Sequence, residues 1–230
     1  MSSMSGAGAA LFATPALLAY GVGLPAVLAA NQFAATAWTP IASKNYLKCA
    51  RLELRLVASV GATGVLGAWL GFKIISHIPV ETLKTLVGLI ILVIVFFVYR
   101  YGARTVEAHP PRGAPYLPVF LGFPLGAYQA VFGSGNILIC SLMFCRLRGF
   151  DFKRALAHSY AVAFMWCCTS AVLGFLEGWM SWAVAVPVTI GSILGATIGS
   201  ATGKALSTPA LRRVFLSVGA VMGLKLLVFG

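Results

Sequence analysis

The sequence is poor in charge, and above all in acids. Only 10% of its 230 residues are charged, with five Asp and Glu against 17 Lys and Arg, while 60% are hydrophobic and the mean hydropathy is +0.93. Soluble domains are about 25% charged, so this composition excludes an ordinary soluble domain. The bases cluster in short stretches between apolar runs, as in cytoplasmic loops of membrane proteins. We therefore expect a lipid bilayer around the chain and no nucleic-acid partner.

Residue patterns typical of metal sites and of secretion signals are also missing. The five cysteines form no Cys-x-x-Cys pair and the three histidines form no cluster, so neither a metal nor a cofactor is predicted. Most of the cysteines lie in apolar runs and fit small packing residues. The N-terminus lacks the positive start and apolar core of a cleavable signal peptide.

Long apolar runs are what the sequence has in abundance. A stretch rich in proline, glycine and charge at residues 101–115 separates them into two groups of three. The sequence therefore divides into a first membrane repeat (1–100), a cytoplasmic linker (101–115) and a second membrane repeat (116–230). The runs long enough to cross about 30 Å of hydrocarbon are 24–43, 55–77, 80–99, 154–176, 181–203 and 208–229.

The two halves resemble each other at an offset of 128 residues. Gly67-Ala-x-x-Gly71 aligns with Gly195-Ala-x-x-Gly199, and an offset one residue shorter aligns Gly6-Ala-Gly8 with Gly133-Ser-Gly135. A duplicated apolar unit is the sequence signature of many secondary transporters, whose binding site lies where the halves meet. The pattern favours transport over soluble chemistry.

Residues 116–148 do not fit a single crossing. As one helix they would be about 50 Å long, and the Gly133-Ser-Gly135 turn interrupts them. The positive-inside rule favours a hairpin, because only a segment that turns back places the bases of Arg146–Arg154 on the same side as those of Lys44–Arg55. Each half then contains three crossings plus one broken hairpin. Because the number of crossings is odd, the second copy lies in the membrane in the opposite orientation to the first. The expected fold is an all-α polytopic membrane protein with two inverted repeats, each a broken hairpin plus three transmembrane helices.

The first repeat lacks one arm of its hairpin in this sequence. A counterpart of residues 116–131 should precede Gly6, yet only five residues do. Either this copy dispenses with the arm, or a start upstream of Met1 supplies it. We expect the upstream start, with an arm of roughly 15 residues, because hydrocarbon tolerates irregular backbone only where protein or a cavity satisfies it.

The two glycine turns are the candidate binding elements. Opposed half-helix N-termini at the midplane would leave N–H donors for an anion, whereas the alternative is that glycine only permits a tight turn. Polar side chains within spans are costly unless they face a partner or a cavity. The candidate substrate-binding residues are Gly6, Gly8, Asn31, Gln32, Gln129, Gly133, Ser134, Gly135, Asn136, His158 and Ser159.

Several short motifs, taken together, carry a family resemblance. They are Gly6-Ala-Gly8, Pro15–Gly21, Ala29–Phe33, Phe132–Asn136, Gly149–Ala155, Ala157-His158, Gly195–Gly199 and Leu211–Lys225. With these motifs, nearly the whole chain resembles the sulfite exporter TauE/SafE family, often described as probable membrane transporter proteins. The resemblance implies a secondary transporter, in the exporting direction, of sulfite, a sulfonate or a related small organic anion. It implies no enzyme activity and a multi-pass protein of the bacterial inner membrane.

Two other functions stay open at this point. A passive anion channel would have the same composition. An intramembrane hydrolase would use Ser134 with His158 as its base, although the repeat places Ala7 where Ser134 stands and His158 also fits an interfacial position beside Arg154. The sequence leaves open the substrate, the coupling ion, the direction of transport and whether the chain forms a homo-oligomer.

Overall fold

The computed structural model is all-helical over the residues that it describes. These are 13–14, 17–18, 20–47, 51–75, 78–79, 114, 116–133 and 135–205, with single positions at 82, 85, 89, 92, 93, 96, 213, 217, 220, 221 and 224. Among them there is no strand. Apart from single positions, the predicted runs 80–99 and 208–229 and the linker at 101–115 lie outside this part of the chain.

Six helices can be bounded. They are α1 (Leu24–Leu47), α2 (Leu54–Ile75), α3 (Leu117–Phe132), α4 (Asn136–Arg148), α5 (Phe152–Leu176) and α6 (Trp182–Ala205). Of these, α2, α5 and residues Trp182–Gly199 of α6 are apolar and long enough to cross a membrane. Helix α1 has 24 residues, among them the buried polar residues Asn31 and Gln32, and it falls outside that group.

The helices run in two opposed directions. Ser43 near the end of α1 donates to the carbonyl of Ala157 near the start of α5, and Ala29 meets Gly174 at the other end of this pair, so the two are antiparallel. Helix α5 shares its direction with α2, because its start lies beside Glu53 and its final residues reach the end of α2. The bundle thus has a Glu53 end, before α2, and a Glu177 end, after α5.

Residues 116–148 form the predicted hairpin. Tyr116 at the start of α3 and Arg148 at the end of α4 line one pocket beside the first turn of α2. Gly133 and Gly135, with φ of 61° and 77°, form the turn between the arms, in the left-handed region that glycine adopts without strain. The segment therefore returns to the end at which it started, as the charge pattern predicted.

Glycines allow α2 and α3 to pack side by side in parallel. A Cβ at Gly67 would collide with the carbonyl of Phe123, and one at Gly126 would collide with the carbonyl of Gly64. At Gly71 it would lie 2.5 Å from the carbonyl oxygen of Ala127. The Gly67-x-x-x-Gly71 face is therefore a packing face.

Candidate functional site

Two glutamines from different halves form the centre of the candidate site. Gln129 Nε2, on α3, donates to Gln32 Oε1, on α1, at 3.0 Å, and Gln32 Nε2 donates to the Gln129 carbonyl at 3.0 Å. The same carbonyl accepts the N–H of Gly133 at 2.9 Å. Both side chains are buried. The pair thus joins α1 to the turn of the hairpin through side-chain and backbone hydrogen bonds.

Cys167 extends this pair onto a third helix. Its Sγ accepts from Gln129 Nε2 at 3.1 Å, so α5 also contacts the site. Gln129 Oε1 is buried, and no hydrogen-bond donor is bound to it in the described part of the chain. Sequence reasoning treated this cysteine as packing; its hydrogen bond to an amide of another helix could not be read from composition.

Asn136 is the first residue of α4 and directly follows the turn. Its side chain is 2% exposed, and its Nδ2 has no hydrogen-bond partner among the described residues. The N–H groups of a first helical turn also lack partners within the helix. The start of α4 therefore combines an unused amide donor with the positive end of a helix dipole.

The turn lies closer to the Glu177 end than to the middle of the bundle. Val131, two residues before Gly133, belongs to a buried cluster with Leu24 and Ile75, the first residue of α1 and the last residue of α2. The turn therefore lies on the Glu177 side of the bundle, where α3 runs in register with α2 along the glycine face.

Two further predicted residues have partners of their own. Asn31 Nδ2 donates to Thr14 Oγ1 at 2.9 Å. Ser159 Oγ donates to the Ala155 carbonyl at 2.8 Å and lies 3.0 Å from Ser141 Oγ on α4. Ser159 therefore links α4 and α5 away from the glutamine pair, since eight residues of α5, about 12 Å of helix, separate it from Cys167.

His158 lies at the Glu53 end rather than at the turn. Its Nδ1 is 2.8 Å from the Arg154 carbonyl, to which it must donate, and its Nε2 accepts the backbone N–H of Glu53 at 3.0 Å. These partners fix a neutral ring with the proton on Nδ1. The structure thus has His158 beside Arg154, in the position that the sequence analysis gave as the alternative.

An ion-pair cluster surrounds that histidine. Glu53 Oε2 accepts from Arg148 at 2.8 Å and Glu53 Oε1 from Arg154 at 2.7 Å, while the Arg154 guanidinium lies 4.1 Å from the centre of the Phe150 ring. At the opposite end Lys73 pairs with Glu177 at 2.9 Å. Each end of the bundle therefore has ion pairs between a residue of the first half and residues of the second.

Three predicted residues, Gly6, Gly8 and Ser134, lie outside the described part of the chain. Sequence reasoning also missed the half-buried Thr14 and three residues that the structure buries, namely Ser141, Cys167 and Ser170. Ser170 Oγ is buried without a hydrogen-bond partner among the described residues. The sequence did show hydroxyl groups inside apolar runs, which can mark a functional site. Such hydroxyls often bond a backbone carbonyl of their own helix, however, so they do not identify a site by themselves.

The turn region offers neutral donors rather than charge. Among the described residues the carboxylates are Glu53, Asp151 and Glu177, and all three lie at the ends of the bundle. No group of His, Cys, Asp or Glu suited to a metal occurs in that same part. An anion at the turn would meet amide donors and a helix N-terminus, and the carboxylate at that end of the bundle, Glu177, is paired with Lys73.

Comparison with known proteins gives one family. The family described as "Sulfite exporter TauE/SafE" matches residues 1–226. A "Probable membrane transporter protein" of Haemophilus influenzae is 31% identical over 207 residues, which covers 88% of this chain and 81% of the relative. Proteins with the same description from Sinorhizobium sp. and Escherichia coli are each 24% identical over 229 residues, covering 99% of this chain and 87% and 84% of theirs. No solved structure matches the chain.

Proposed function

Because the chain belongs to the sulfite exporter TauE/SafE family, a family of membrane transporters, we propose that it is a secondary transporter of a small anion in the bacterial inner membrane. Sulfite, a sulfonate or a related organic anion is the substrate class, and export is the direction. The observation that carries the proposal is the buried amide of Asn136, whose Nδ2 has no partner among the described residues and which follows by three residues Gly133, bonded to the Gln129 carbonyl of the glutamine pair.

The chemistry of the turn suits a small oxyanion. An unpaired buried amide costs about 1–3 kcal/mol, and an anion bound to Asn136 Nδ2 would remove that cost in the bound state. The dipole of α4 adds attraction at the same place. Since the donors are neutral, the empty site has no buried charge to stabilise, and the anion can leave again.

We propose that the two halves are inverted repeats. Adding 128 to the bounds of α1 gives 152 and 175, and α5 occupies Phe152–Leu176; the same shift of α2 gives 182 and 203, and α6 occupies Trp182–Ala205. The members of each pair run in opposite directions. Such pairing is what inverted duplication produces, and it underlies alternating access in many carriers.

The ion pairs at the two ends fit this mode of transport. Glu53 binds Arg148 and Arg154 at one end, and Lys73 binds Glu177 at the other. In both sets the first half is held to the second. Rocking of the halves would open one set while the other stays closed, so that the site at the turn is exposed to one side at a time.

Transport by purified protein in proteoliposomes tests the proposal. Flux of sulfite, an alkyl sulfonate and a carboxylate is measured with and without the same anion on the opposite side, because a carrier accelerates exchange and a channel does not. Asn136→Leu should lower transport efficiency by roughly ten- to hundredfold, the loss of one hydrogen bond to a charged group. Its melting temperature should not fall, since an unpaired polar group is removed.

Ser141→Ala is the matched control on the same helix, because that hydroxyl already contacts the Ile137 carbonyl at 2.6 Å and Ser159. It should keep near-normal flux. Full transport by Asn136→Leu would refute the proposed site, whereas flux without accelerated exchange would favour the channel.

A further inference from the structure

A pocket lies at the Glu53 end, away from the turn. It encloses about 640 Å³ between the first turns of α2 and α3 and the end of α4. Along α3, ten residues or about 15 Å separate Val119 in its wall from Gln129 at the candidate substrate site. Its lining is Leu52, Glu53, Leu54, Arg55, Leu56, Ser59, Tyr116, Val119 and Arg148.

The polar side of this pocket is cationic. Both oxygens of Glu53 are bound by arginines, Oε1 by Arg154 and Oε2 by Arg148, so the carboxylate is neutralised from within the protein. Arg148 has N–H groups beyond the one that Glu53 uses. Arg55 is exposed and makes no ion pair within the described residues. The wall therefore presents two guanidinium groups to an anion.

The pocket opens onto an apolar surface. Leu54 is 71% exposed and Phe120 is 73% exposed, and Phe120 stands one helical turn beyond Tyr116 on the same side of α3. A free small anion would make no use of these side chains and would leave most of the volume empty. A molecule with an anionic head and hydrocarbon tails matches both parts.

We propose that this pocket binds the phosphate headgroup of an anionic phospholipid, with Arg55 and Arg148 contacting the phosphate and the acyl chains lying along Leu54 and Phe120. Basic pockets between helices at the cytoplasmic side of membrane proteins bind such headgroups. The inference does not depend on which anion is transported, because the two sites are separate.

Native mass spectrometry and thermal unfolding of the purified chain in neutral detergent test this, with phosphatidylglycerol, phosphatidylcholine or glycerol 3-phosphate added. Phosphatidylglycerol should bind and raise the melting temperature, whereas the other two should not. Arg55→Gln should weaken phosphatidylglycerol binding about tenfold. Arg51→Gln is the control, because Arg51 is an exposed arginine near the same end but does not line the pocket. This variant should change phosphatidylglycerol binding less than about twofold.

Three outcomes would overturn the proposal. Equal losses in Arg55→Gln and Arg51→Gln would mean attraction by overall charge. Equal stabilisation by phosphatidylcholine would mean that the headgroup charge is not recognised. Stabilisation by glycerol 3-phosphate matching that by the lipid would mean a site for free phosphate esters. Because Arg55 is exposed and unpaired among the described residues, its replacement should leave the lipid-free melting temperature unchanged, and that measurement separates misfolding from lost binding.

Discussion

At the scale of single residues, substitutions in the glycine turn distinguish a transporter from a hydrolase. Ser134→Ala should leave anion flux largely intact, because the first repeat has Ala7 at the aligned position. Gly135→Val should abolish flux, since a branched side chain beside Asn136 would fill the space that the substrate needs. Flux per amount of folded protein is measured for both in proteoliposomes.

Backbone strain needs its own control in that experiment. Gly149 has φ of 68°, close to the 77° of Gly135, but it ends α4 at the other end of the bundle. Gly149→Val should therefore reduce the amount of folded protein without abolishing transport by the molecules that fold. Loss of flux in Ser134→Ala together with its retention in Gly135→Val would contradict the proposed site and favour the hydrolase.

Which polar residues belong together was only partly visible in the sequence. Gln32 and Gln129 were both identified, because an amide inside an apolar span needs a partner, and they bond each other. Cys167 was not, since a thiol in an apolar run resembles packing. His158 was included for its polarity, and the alternative position beside Arg154, which its place in the sequence also allowed, is the one that the structure has.

At the scale of helices, the face between α2 and α3 determines how much protein folds. Gly67→Val should lower the yield of folded protein several-fold, because overpacking typically costs about 1–3 kcal/mol and the new side chain meets backbone that cannot rotate away. Gly191→Val on α6 is the matched control, as a Cβ there meets nothing within 4 Å. Size-exclusion chromatography of fluorescent fusions measures both, and equal yields would contradict the packing role of Gly67.

The hairpin was predictable from charge and length, whereas the helices that pack against it were not. Basic residues at Arg146 and Arg148 required the chain to turn back, and Gly133 and Gly135 marked the turn. The spacing of Gly67 and Gly71 on α2 is typical of close helix packing, but it does not identify α3 as the partner. Choosing a partner depends on contacts between residues far apart in sequence, which local patterns do not encode.

At the scale of the whole molecule, the two basic loops should face the cytoplasm. In a variant without its native cysteines, Arg51→Cys and Arg146→Cys should react with a membrane-impermeant maleimide only after the cells are permeabilised. Ser181→Cys, between α5 and α6, should react in intact cells. The reason is that bases concentrate at the Glu53 end, where the ion pairs hold Arg148 and Arg154. Labelling of Arg146→Cys from outside would contradict the orientation.

The helices of the first half pack mainly against those of the second. Among the described helices, α1 packs on α5 and α6, and α2 packs on α3 and α5. During synthesis α1 and α2 therefore leave the ribosome before their partners exist. The nascent first half has to wait in the membrane with polar Gln32 and the glycine face of α2 uncovered. We expect the newly made half-protein to depend on the cell's membrane-insertion machinery, and co-expressed halves to assemble where either half alone is degraded.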